Sequence, residues 1–134
     1  MKTAVIITTR NRPQLFMRAM QSVFDTSDAT VYCVVDHDEE MMGDYGNIVA
    51  GFQTTWHPVQ MLIHPESGSS PKGIDWAWRQ IDFDMVMTMG DDSVIRTKGW
   101  DGIAWSMLEK DPLMMISSND GRGRKKLENN ICKR

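Results

Sequence analysis

The chain has 134 residues, 41% hydrophobic and 25% charged, with a net charge of −3. That is the size and balance of one soluble globular domain, large enough to bury a core without disulfides. No apolar run approaches the roughly 20 residues of a membrane span, the N-terminus lacks a signal-peptide layout, and Cys33 and Cys132 form neither a disulfide framework nor a metal spacing. A reduced, cytoplasmic protein is the expectation.

Charge is unevenly spread. Residues 1–121 carry nine Lys and Arg against 17 Asp and Glu, whereas residues 122–134 carry six against one. An acidic body argues against nucleic acid as a partner. Residues 122–134 read as a solvated basic tail after a domain of residues 1–121. The 12 methionines lie mostly in apolar runs and read as core filler.

In chain order, the first apolar run is "AVIIT" (4–8), of strand length and bulk. The helix pattern of residues 12–24 follows, with Leu15, Phe16, Ala19, Met20, Val23 and Phe24 on one stripe and Pro13 suited to the first turn. "TVYCVV" (30–35) is the next strand, and Tyr45, Ile48, Val49 and Phe52 mark the next helix. After "VQMLI" (59–63), the stripe Ile74, Ala77, Trp78, Ile81 predicts a helix capped by Ser70 and opened by Pro71. "MVMTM" (85–89) precedes a helix through Trp100, Ile103, Ala104, Met107 and Leu108 with Thr97 as its cap, and "LMMIS" (113–117) is a fifth strand. Alternating strands and helices with near-continuous apolar strands predict an α/β domain with a mostly parallel sheet flanked by helices.

Ligands of such sheets bind beyond the carboxyl ends of the strands. Those positions read "TRNR" (9–12), "DHDEE" (36–40), "HPESGSS" (64–70), "GDDS" (90–93) and "SNDG" (118–121), four of the five containing acids. Asp91 and Asp92 are adjacent carboxylates that repel unless a cation shares them. A hard ion such as Mg²⁺ or Mn²⁺, held by one or two carboxylates and ligand phosphates, would supply that charge. Gly90 would let the backbone turn and leave room for a diphosphate. A solvated turn explains the dipeptide by itself; the other acidic strand ends favour the cation. Asp36 and Asp38 could accept hydrogen bonds from a base or a ribose, or belong to an acidic loop. "TTRNRP" offers the hydroxyls of Thr8 and Thr9, the Asn11 amide and the guanidiniums of Arg10 and Arg12 to a nucleotide, or only a helix entry with surface charge. Trp76 lies off its helix's stripe and either lines a cleft or packs under a loop. His37 is the one histidine placed between strand-end acids.

These stretches resemble a known family. "AVIITTRNRPQLFMRAMQSVF" is similar to the first strand and helix of family 2 glycosyltransferases. "YCVVDHDEE" resembles their second strand with its acidic nucleotide-binding loop, and "GSSPKGIDWAW" their glycine-containing loop and next helix. "MVMTMGDDSVIRTKGWD" resembles their DxD strand, above all in a subgroup with a "GDD…RTxGWD" pattern, and "ISSNDG" the strand end that follows. The resemblance covers residues 3 to about 121. It implies a Rossmann-like GT-A fold, a nucleotide-diphosphate sugar donor, an unidentified acceptor, and Mn²⁺ or Mg²⁺ bridging the diphosphate. By position it makes Asp92 the principal metal ligand, with Asp91 beside it near the donor ribose or sugar. Asp36 becomes the base-recognising acid, with Asp38 beside it, and Thr8, Thr9, Arg10 and Asn11 the nucleotide-contacting loop. Gly90 departs from the pattern, standing where an Asp is usual. The chain also stops soon after Asp120, the only late strand-end acid left for the catalytic base, which family members take from a further acceptor-binding half. The rival expectation is therefore a non-catalytic or partner-dependent nucleotide-sugar-binding domain, and a homodimer covering the exposed end of the sheet stays open.

Overall fold

The computed structural model describes residues 1–111, 114–116 and 131–133. It comprises two units, Met1–Lys98 and Gly99–Arg134. Among the described residues no helix is long and apolar enough to cross a membrane.

The first unit is built on four parallel strands, β1 (Thr3–Thr8), β2 (Thr30–Asp36), β3 (Val59–His64) and β4 (Met85–Gly90), in the order β3-β2-β1-β4. Helices α1 (Pro13–Phe24), α2 (Met42–Thr54) and α3 (Ser70–Trp78) provide the crossovers that parallel pairing requires. Val5, Ile6 and Ile7 of the central β1 are fully buried, as a strand covered on both faces demands. The register sets Thr8 level with Val34 and Gly90, and Asp36 level with His64, so the polar residues after each run gather at one edge. The chain moves outward from β1 through β2 to β3 and then returns to the far side of β1. That reversal between β1 and β4 is the switch point at which ligands of open α/β sheets bind.

The α1 stripe is as predicted: Phe16, Ala19, Met20 and Val23 are all fully buried. In α2, Tyr45 and Val49 are buried, and Ile48 and Phe52 half-buried. In α3, Ala77 is buried and Ile74 and Ile81 pack against the core as the stripe predicts, but Trp78 does not. The helix ends at Trp78, so Ile81 lies beyond it, and Trp78 is 46% exposed while Trp76 is half-buried. The reason is Gly73, which brings the helix close to the sheet: a Cβ there would lie 3.4 Å from Thr8 Cγ2 and 3.6 Å from Val34 Cγ1. With Gly73 and Ala77 against the sheet, Trp76 turns inward onto the Ile6–Val34–Ala77 cluster. Ser70 is the first residue of α3 rather than its cap; the flanking residue is Ser69, whose side chain makes no capping bond.

The second unit contains α4 (Trp100–Leu108), β5 (Met114–Ile116) and β6 (Ile131–Lys133). Gly99, with φ 67°, enters α4 in place of the expected Thr97 cap. The fifth apolar run was expected in the parallel sheet. Instead β5 pairs antiparallel with β6, which lies in the stretch read as a tail, in a separate two-stranded sheet. An antiparallel partner close in sequence satisfies its backbone groups without a long crossover.

Candidate functional site

The carboxyl ends of β1 and β4 are tied together by one buried carboxylate. Asp91, the first residue after β4, is 1% exposed, and both of its oxygens are engaged. The Thr9 hydroxyl donates to Oδ2 at 2.8 Å, and the Arg12 guanidinium pairs with Oδ1 at 2.9 Å. The Tyr45 hydroxyl lies 2.7 Å from Thr9 Oγ1 and accepts from the Arg12 backbone N–H at 3.0 Å. A buried charge needs this degree of pairing and hydrogen bonding to be tolerated. Burial raises the Tyr45 hydroxyl above its ordinary pKa, which keeps it neutral and available to this network.

Asp92 has the opposite environment. It is exposed, and its carboxylate takes no part in those bonds. It folds back over Gly90, where a Cβ would stand 2.7 Å from Asp92 Oδ1. Glycine at 90 thus leaves room for the Asp92 carboxylate in this position. The segment that follows is fastened to α1, because the Ile95 N–H donates to Ser22 Oγ at 3.0 Å.

A second cluster lies at the end of β2. Arg10 NH1 donates to Asp36 Oδ2 at 2.9 Å and to Asp38 Oδ1 at 3.1 Å, while NH2 reaches Asp38 Oδ2 at 3.2 Å. The Arg10 contact, helped by the Ser67 hydroxyl, holds the Asp38 carboxyl down at about 2. Asp36 also accepts from His64 Nδ1 and from the Gly68 N–H, each at 3.3 Å. His64 is nearly buried and packs edge-on against Trp76, with ring centroids 5.3 Å apart. Glu39, 6% exposed, staples the two loops together by accepting the backbone N–H groups of Asn11 and Met41, both at 3.0 Å. Asn11 sits at φ 53°, a left-handed conformation that asparagine tolerates better than most residues.

Of the residues singled out in the sequence, Thr9 and Asp91 meet directly, as do Arg10, Asp36 and Asp38. Thr8 does not join either group; its hydroxyl bonds to Ser70. Asn11 joins through its backbone. Asp120 lies outside the described residues. His37 is exposed, and it is His64 that touches Asp36, because the β2–β3 register pairs those two positions. Tyr45 and Glu39 were not anticipated: one belongs to a helical apolar stripe and the other to a run of acids. The usable signal for Tyr45 was a hydroxyl-bearing residue at the amino-terminal end of its stripe, facing the strand ends.

Among the described residues no group of three His, Cys, Asp or Glu side chains could cage a metal ion. With Asp91 engaged, Asp92 is the carboxylate at this strand end that is free to bind one. That set fits an ion that arrives with a diphosphate and keeps phosphate and water ligands, as Mg²⁺ and Mn²⁺ do.

No known family profile matches the chain and no curated protein matches it. Solved structures do. The mannosyltransferase PcManGT from Pyrobaculum calidifontis, in complex with GDP-Man and Mn²⁺, aligns over 88% of this chain with a TM-score of 0.74 and 14% identity. TarS 1-349 from S. aureus in complex with UDP-GlcNAc aligns over 94% with a TM-score of 0.69 and 18% identity. The chain spans 23% of the length of S. aureus TarS and 39% of that of TarS 1-349. At these identities the likeness is one of architecture: the chain has the α/β fold of glycosyltransferase structures.

Proposed function

We propose that this chain forms the donor-binding part of a glycosyltransferase, which moves a sugar from a nucleotide-diphosphate sugar to an acceptor with the help of Mn²⁺ or Mg²⁺. The observation that carries this reading is the pair of environments at the switch point: a buried Asp91 that fixes the end of β4, and an exposed Asp92 held over Gly90. In this reading Asp92 is the protein's metal ligand, and the diphosphate lies across the β1–β4 crevice. Asp36 and Asp38, with Arg10, meet the nucleoside about two strand spacings away, or roughly 10 Å. Thr8, Thr9 and Asn11 line the loop between, and Asp91 serves from behind. Asp120 is kept as the candidate base. When bound, the divalent ion acts as a Lewis acid that stabilises the charge developing on the leaving diphosphate. The chain's own residues orient the donor and set the position of the ion's carboxylate. The neighbour complexes with GDP-Man and Mn²⁺ and with UDP-GlcNAc support this choice of ligand class.

A second reading, a nucleotide-sugar-binding domain that performs no transfer alone, draws on the 23–39% of the neighbours' length that the chain spans. Calorimetric titration with UDP, GDP, CDP and dTDP, with and without Mn²⁺, tests the donor site. The expected result is Mn²⁺-dependent binding that Asp92→Ala abolishes. If no nucleotide binds, both readings fail. If nucleotide binds but supplying acceptors or water yields no turnover, the second reading replaces the first.

A further inference from the structure

The edge of the sheet farthest from β4 is open. Among the described residues no strand pairs with β3 on its outer side. Pro58 and His64 turn their carbonyls towards β2, where they accept from the Val31 and His37 N–H groups at 2.8 and 2.9 Å. Backbone groups alternate in direction along a strand, so Val59, Met61 and Ile63 direct theirs outward. Val59 is provided for within the chain: its N–H donates to the His57 carbonyl at 3.0 Å, and its carbonyl accepts from Gln53 Nε2 at 2.9 Å. Met61 and Ile63 have no such partner among the described residues. The usual guards of an exposed edge are missing here. Val59–His64 contains no Lys, Asp, Glu or Pro, and Ile63 is 47% exposed.

We infer that a second copy of this chain pairs with β3, antiparallel about a two-fold axis at Leu62, to make one continuous sheet. About that axis Met61 of one copy faces Ile63 of the other. Each such pair exchanges both of its N–H···O bonds, so the free backbone groups of the two copies satisfy one another. Leu62 meets its own counterpart at the non-hydrogen-bonded position, where side chains come closest. Met61, Leu62 and Ile63 carry no charge, so no like charges are opposed.

Helix α2 leaves room at the same axis. Gln53 marks the flank of α2 that faces this edge, because its side chain reaches Val59; Phe52, packed on Phe24, marks the flank towards α1. Gly46 lies on the Gln53 flank two turns earlier, about 10 Å back along the helix. Leu62 lies about 10 Å along β3 from Val59. Gly46 is thus level with the axis. A Cβ there would touch nothing within 4 Å, and Gly43 and Ala50 beside it are exposed. The counterpart helix can approach across the axis because these side chains are absent or small. An unrelated extended segment brings no helix and needs no such gap, so the gap selects a second copy. The axis lies at the opposite edge from the β1–β4 crevice, and pairing here leaves the crevice open.

Sedimentation velocity of the full chain over a wide concentration range, with amide hydrogen exchange at Met61 and Ile63, tests this. The wild-type chain is expected to dimerise, with slow exchange at both amides that quickens on dilution. Two variants are expected to be monomeric with both amides fast. Ile63→Lys puts a charge on the edge, and Gly46→Gln fills the gap between the helices. Both positions have room in the single chain, so each variant should stay folded, and losing a glycine from α2 should raise the urea midpoint of Gly46→Gln. A wild-type chain that is monomeric at every concentration overturns the proposal. So does a dimer whose Met61 and Ile63 amides remain fast, or one that persists in either variant.

Discussion

The two polar clusters at the sheet edge use the same chemistry, Arg against Asp, in opposite surroundings. At the β1–β4 crevice the acid is 1% exposed and every partner is fixed by a strand end or a helix start. At the β2 end, Arg10 and Asp38 are 48% and 43% exposed and meet across two loops. A pair whose acid is buried fixes that acid in a single geometry, since removing its partners leaves a buried charge without compensation. An exposed pair is screened by water and salt and exchanges partners readily. The first cluster therefore fixes the backbone that carries Asp92, whereas the second leaves its charged groups open to solvent.

The largest effect separating the two clusters is expected from Asp91→Ala. It removes an acceptor from the Thr9 hydroxyl, which keeps Tyr45, and from the Arg12 guanidinium, and because Arg12 is half exposed the loss is about 2–3 kcal/mol, below that of a fully buried pair. Urea denaturation measures it, and a change under about 0.5 kcal/mol would mean that the crevice is not held by this residue. Tyr45→Phe removes one hydroxyl between Thr9 and the Arg12 N–H and is expected to cost about 1 kcal/mol in the same assay.

Gly90→Ala sharpens the comparison from the ligand side. The new Cβ crowds the Asp92 carboxylate, a side chain that can swing away, and makes ordinary contact with Ser93 Oγ, so stability should change by less than about 1 kcal/mol. Mn²⁺-dependent nucleotide binding should nevertheless weaken severalfold; unaltered binding would detach Asp92 from the metal.

The smallest effect belongs to the exposed cluster and is read by pH. The Asp38 carboxyl is depressed to about 2 in the folded chain, below the unfolded value of about 3.9. Its stabilisation is complete above the unfolded pKa and is lost as pH falls through about 4 towards 2. Asp38→Asn should flatten stability against pH in that window, and added salt should reduce the slope of the parent protein. A slope insensitive to both would show that the Arg10 contact is not made in solution.

Much of the architecture was legible because it follows from local periodicity. The α1 stripe of Phe16, Ala19, Met20 and Val23 and the apolar runs of β1 and β4 each declare their element within a few residues. On α3 the stripe held for Ile74, Ala77 and Ile81 and failed at Trp78, whose place on the core Trp76 takes, because Gly73, a residue without a side chain, determines how the helix seats on Thr8 and Val34. The fifth run was placed in the wrong sheet because its partner, β6, sits in a segment whose charge pattern resembled a solvated tail.

The sequence by itself determined the alternation of strands and helices, the clustering of polar loops at the carboxyl ends, and the presence of two adjacent acids after β4. Apolar periodicity and chain direction settle those features. Only the tertiary structure decided that Asp91 is buried and Asp92 exposed, that Tyr45 serves the crevice, and that His64 rather than His37 touches Asp36. Each of these depends on strand register and helix seating between segments distant in the chain, and no local pattern of residues records such a pairing.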